Sequence, residues 1–130
     1  MIKSGQATPT VLVVDDFEDS RFVLRQMLEM RDYSVIEAAD GREAFEAARR
    51  QRPDLVLMDL HMPRVDGLAA AKLIRESEDA CRDVPIVAFT AFDTYGIKEA
   101  ALEAGCDDYL AKPFDLGRLE SVLRRCLLGW

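Results

Sequence analysis

Val11-Leu12-Val13-Val14-Asp15-Asp16 and Leu55-Val56-Leu57-Met58-Asp59 share one form: a short apolar run that ends in aspartate. Ile86-Val87-Ala88-Phe89, introduced by Pro85 and followed by Thr90, is a third such run. Apolar stretches of four or five residues with no polar alternation suit strands covered on both faces, as in a parallel sheet. Ser34–Ala38 and Asp108–Ala111 are weaker strand candidates at matching intervals.

Helical patterns fill the intervals. Val23, Leu24, Met27 and Leu28 mark a first helix. Asp40 and Glu43 form a capping box ahead of Ala44, Phe45 and Ala48 in a second. Leu68, Ala71, Lys72 and Arg75 lie in a third. A fourth, from about Thr94 to Ala104, is rich in alanine and carries Gly96 inside it, at a cost of about 1 kcal/mol relative to alanine. Asp115 caps a fifth, whose apolar stripe is Leu116, Leu119, Val122, Leu123, Cys126 and Leu127. Strand and helix thus alternate five times. Right-handed crossovers turn that order into an open parallel α/β sheet with helices on both faces.

A chain of 130 residues, 49% hydrophobic and 32% charged, suits one globular domain. We expect a loose lead-in over residues 1–9, a domain over 10–128 and a short C-terminal end at 129–130. No apolar run approaches the ~20 residues that span a bilayer. The first ten residues lack the apolar core of a signal peptide, so no membrane insertion and a cytoplasmic location are expected. Cys81, Cys106 and Cys126 are odd in number and widely spaced, which points to reduced structural thiols rather than disulfides or zinc. A net charge of −7 argues against direct nucleic-acid binding.

In an open parallel sheet, sites form beyond the carboxyl ends of the strands, where strand order reverses. The residues there are Asp15 and Asp16 after the first strand, Asp59 after the third, Thr90 after the fourth and Lys112 after the fifth. Taken singly each is ordinary, since aspartates cap helices and turns and a lysine before proline is a common surface choice. Together they place three carboxylates, a hydroxyl and an ammonium on one edge. Two carboxylates ~4 Å apart repel by about 4 kcal/mol at an effective dielectric of 20. A hard divalent cation with oxygen ligands relieves that repulsion, and Mg2+ suits a site that also takes phosphate. Carboxylates form acyl phosphates, and phosphoryl transfer needs chiefly positioning and charge neutralisation.

Four blocks then stand in order: VLVVDD (11–16), PDLVLMDLHMPRVDG (53–67), PIVAFTA (85–91) and AGCDDYLAKPF (104–114). With them the chain, from Thr10 to Leu128, resembles the receiver domain of two-component response regulators. The resemblance implies a chemotaxis-regulator-like, flavodoxin-like (βα)5 doubly wound sandwich with strand order 2-1-3-4-5. It implies a phosphorelay protein in which Asp59 takes a phosphoryl group from a phosphohistidine of a sensor histidine kinase or phosphotransfer protein. Asp16, Asp59 and the backbone carbonyl of His61 would ligate Mg2+, with Asp15 acting through water. Thr90 and Lys112 would contact the phosphoryl oxygens, and the Lys112–Pro113 peptide would be cis. Thr90 and Tyr109 would form the switch, moving with the fourth helix to alter the surface around helix 4, strand 5 and helix 5. The domain would promote only its own phosphorylation and dephosphorylation, acting as a regulator and not an enzyme. Its output would be a downstream protein target or a further domain.

Some residues depart from that pattern or stay ambiguous. His61, the single histidine, could be a side-chain ligand or relay, but imidazole is a poor partner for Mg2+. His61 and Phe92 would border the path of an attacking water and tune the phosphoryl lifetime. Unchanged dephosphorylation in their alanine variants would remove that idea. Asp32 stands where the family often has glycine, and aspartate tolerates the left-handed conformation. The last helix lacks the arginine pattern of winged-helix regulators that dimerise through helices 4 and 5. Leu127, Leu128 and Trp130 could pack on the domain, meet a partner or lead into further chain. An aspartyl-nucleophile phosphatase would carry Asp-x-Asp after the third strand and a cap insertion, whereas position 61 is histidine and the connections are short. A phosphorylation-independent binding module would not need all five edge residues.

Overall fold

The computed structural model describes residues 8–60, 67–91 and 96–128. His61, Phe92, Thr94 and Trp130 lie outside them. Five strands, β1 (Thr10–Val14), β2 (Ser34–Ala38), β3 (Leu55–Asp59), β4 (Ile86–Thr90) and β5 (Asp108–Ala111), form one parallel sheet in the order β2-β1-β3-β4-β5. The connecting helices are α1 (Glu18–Glu29), α2 (Gly41–Gln51), α3 (Gly67–Glu76), α4 (Ile97–Glu103) and α5 (Leu116–Leu128), with a 3-10 turn at Ala80–Asp83. No described helix is long and apolar enough to cross a membrane.

The unalternating strand sequences follow from two cores. Side chains alternate across a strand, so one run feeds both faces of the sheet. Val11, Val13, Leu55, Leu57, Val87, Phe89 and Leu110 pack against Leu24 and Leu28 of α1 and Leu119, Val122 and Leu123 of α5. On the other face, Leu12, Val14, Val56, Met58, Ile86, Ala88 and Tyr109 meet Ala44, Ala48, Ala70, Ala71, Ile74 and Ala101 of α2, α3 and α4. Every residue of β3 and β4 is buried. The small alanines let those helices lie close to the sheet, and each buried Leu, Ile or Phe contributes about 1.5–3 kcal/mol.

Local signals account for most helix ends. Asp40 caps α2 by accepting from the Glu43 amide at 2.8 Å, and Glu43 reaches back to the Ala39 amide at 3.1 Å. Asp115 accepts from the Arg118 amide at 2.7 Å at the start of α5. Asp32 does take the left-handed conformation, at φ 67°. Arg52 also does, closing α2 just before Pro53, which its residue type gave no reason to expect.

Two expectations need correction. Gly96 is not inside α4 but caps it, at φ 85°, so its freedom to adopt positive φ serves the turn and costs the helix nothing. Val23 does not join the α1 stripe: it is 56% exposed, while Leu24 and Leu28 carry the packing. The three cysteines are free, and burial pushes the Cys106 and Cys126 thiols up to about 11. Leu127 packs on the edge of the α1–α5 core.

Candidate functional site

Parallel pairing in register brings the five edge residues together. Strand order reverses between β1 and β3: β1 leads outward to β2, while the chain returns to build β3 and β4 on the other side. Asp59 pairs with Phe89 and Thr90 with Ala111, one residue before Lys112. The Lys112 amide donates to the Thr90 carbonyl at 2.9 Å, and the Leu60 amide to the Phe89 carbonyl at 3.0 Å. The Lys112–Pro113 peptide is cis.

Carboxylate oxygens of Asp15, Asp16 and Asp59 lie within 4.8 Å of one another. Asp15 and Asp59 are buried and Asp16 is exposed, so the cluster is shut on its inner side and open on its outer side. Asp15 Oδ1 accepts from the Phe17 amide at 2.9 Å. Its Oδ2 is buried without a hydrogen bond, with the Lys112 ammonium 3.6 Å away. A buried carboxylate oxygen left this way is costly unless a cation answers it. All donors are hard oxygens, as Mg2+ requires. Two oxygens on one Mg2+ at ~2.1 Å can be no more than about 4.2 Å apart, so the donor set fits with a water or a small rotamer change bridging its widest pair.

Neighbours that the sequence reading did not single out complete the arrangement. Arg21 donates from Nη1 to the Asp15 carbonyl at 2.7 Å and pairs through Nε with Glu37 at 3.0 Å, holding the β1–α1 turn to β2. Ser20 Oγ accepts from Lys112 Nζ at 3.3 Å, and that ammonium lies 4.8 Å from the centroid of the Phe89 ring. Phe114 meets the same ring edge-on at 6.3 Å. Gly67 begins α3 directly beneath Asp59; a Cβ there would overlap the Asp59 carbonyl oxygen and lie 2.8 Å from Leu60 Cα. Its place at the end of the second block was visible in sequence, but the close approach is tertiary. Tyr109 is buried among the α4-side core, and Thr90 is also buried. His61 and Phe92, the candidates for tuning the phosphoryl lifetime, lie outside the described residues. An apolar groove of about 300 Å3 opens beside the cluster, between Val23 and Met27 of α1 and Pro113–Phe114.

A family model for the response regulator receiver domain matches residues 11–124. The response regulator MprA of Mycolicibacterium vanbaalenii is 44% identical over 119 residues, covering 88% of this chain and 50% of that protein. MprA of Mycobacterium leprae is 44% identical over the same length, covering 88% and 51%. The chain therefore spans about half the length of the curated relatives it matches. Among solved structures, the receiver domain of a sensor histidine kinase from Pseudomonas aeruginosa PAO1, with a magnesium ion coordinated in its active-site cleft, is 41% identical. Its TM-score is 0.86, over 93% of this chain and 98% of that one. The Vibrio cholerae chemotaxis protein CheY4 is 32% identical with a TM-score of 0.86, over 93% and 100%.

Proposed function

This chain belongs to the response regulator receiver domain family, whose general role is to accept a phosphoryl group in two-component signalling, and we propose that Asp59 is its phosphoacceptor. The observation that carries this reading is the carboxylate cluster, buried at Asp15 and Asp59 and with an Asp15 oxygen that makes no hydrogen bond, set in register beside Thr90 and Lys112. Asp16 and Asp59 would hold Mg2+ directly and Asp15 through water. When bound, the cation neutralises charge on the carboxylates and on the phosphoryl oxygens.

A carboxylate oxygen of Asp59 attacks the phosphorus of a phosphohistidine on a kinase or phosphotransfer partner. The P–N bond breaks and its electron pair leaves with the imidazole, while a P–O bond to Asp59 forms. Lys112 supplies a positive point charge to the transferred oxygens, and the Thr90 hydroxyl donates to another. Water later attacks the phosphorus, releasing inorganic phosphate and restoring the carboxylate. The added charge is read by Thr90 and Tyr109, which adjoin β5 and α4, and the surface there shifts between two states. The role is regulatory, in the cytoplasm, with a downstream protein or an output domain as receiver of the signal.

Incubation with a small acyl phosphate and Mg2+, followed by mass measurement, tests this reading. One phosphate-sized gain is expected in the native chain and none in Asp59→Asn. A gain that survives Asp59→Asn moves the acceptor elsewhere, and no gain under any condition favours a phosphorylation-independent binding module.

A further inference from the structure

Lys112 is drawn by two groups that it cannot serve equally. Its ammonium makes a hydrogen bond to Ser20 Oγ at 3.3 Å but stands off Asp15 Oδ2 at 3.6 Å, although that oxygen is buried and otherwise without a hydrogen bond. We propose that Ser20 is a positioning residue, whose hydroxyl gives the Lys112 ammonium a seat beside the carboxylates and so leaves Asp15 open to a divalent cation. The proposal rests on the reading of Asp15, Asp16 and Asp59 as the cation site.

Lys112 and a divalent cation compete for Asp15. An ammonium and a divalent cation seek the same carboxylate charge, and each repels the other at close range. Without a second seat, Lys112 would settle on Asp15, which has an oxygen to spare. Ser20 is well placed to prevent this. It lies in the first turns of α1, a helix anchored to the sheet by Leu24 and Leu28, so its hydroxyl does not depend on the carboxylates for its position. The Phe89 ring, 4.8 Å from Nζ, favours the same seat from the apolar side. Ser20 and Lys112 also line one groove, so the ammonium stays within reach of an arriving anionic group.

Mg2+ titration of the full chain, followed through backbone amide shifts and the Lys112 side-chain nitrogen signal, tests the proposal. Ser20→Ala is expected to weaken Mg2+ binding about 3-fold, a modest loss because the bond is long for a charged donor. Ser20→Thr, which keeps the hydroxyl, restores it. Lys112→Met removes the competing cation and tightens binding, and in that background Ser20→Ala has no further effect. A structural role for Ser20 would persist when Lys112 is gone. Native-like affinity in Ser20→Ala, or an equal loss in both backgrounds, overturns the Ser20 assignment while the cation site stands. A native chain that binds no Mg2+ overturns the cation site, and the seat with it.

Discussion

Asp54, Asp107 and Asp108 at the amino-terminal edge of the sheet can be set against Asp15, Asp16 and Asp59 at its carboxyl edge. At the first edge each carboxylate is answered by the fold. Asp54 accepts from the Thr10 amide at 2.7 Å. Asp107 accepts from the Ile86 amide and from Arg75, both at 2.8 Å, and Asp108 pairs with Arg125 and accepts from the Tyr109 amide. At the second edge three carboxylates converge, one oxygen stays without a hydrogen bond, and the ammonium beside it leans toward Ser20. An acidic residue at a strand end therefore says little by itself. The two edges differ in crowding: the carboxylates of the first are spread over separate amide and arginine partners, whereas three carboxylates of the second lie within 4.8 Å of one another.

Mg2+ should distinguish the two edges. At about 100 times its Kd, Mg2+ should stabilise the native chain by about 2.7 kcal/mol, read as a shift of the urea midpoint. Asp59→Asn should lose that gain and Asp54→Asn should keep it. Gly67→Ala tests how tightly the carboxyl edge is built. Its Cβ meets Asp59 and Leu60 backbone, which cannot rotate away, so a loss of about 2 kcal/mol and a weaker response to Mg2+ are expected. An unaltered midpoint would show that α3 can shift without disturbing the cluster. The smallest effect belongs to the other edge. Asp107→Ala should cost about 1 kcal/mol by freeing the Ile86 amide and Arg75, whose contacts are partly exposed, and should leave the phosphate-sized mass gain intact.

Much of this was legible before any coordinates. The three central strands lie where the apolar runs placed them, because a strand buried on both faces needs a continuous apolar sequence, while the weaker candidates Ser34–Ala38 and Asp108–Ala111 form the partly exposed edges. Asp40 and Asp115 cap as expected, since capping is a matter of three or four adjacent residues. Gly96 was misread because a glycine's composition cost inside a helix and its use just before one look alike until φ is known. Val23 was misread because neighbours on α1 compete for one narrow face. Ser20 and Arg21 had no signal of their own, being ordinary polar positions on a helix.

Local pattern and spacing along the chain were enough for the β-α order, the two-sided burial of the central strands and the identity of the five residues at the carboxyl edge. Tertiary structure alone decided that three of those residues share one cluster, that an Asp15 oxygen is left without a hydrogen bond, and that Lys112 rests between Asp15 and Ser20. Those outcomes depend on distances between residues far apart in sequence, set by strand register and by helix packing. At the edge that holds Asp59, charges from separate strands meet, and only the fold brings them together.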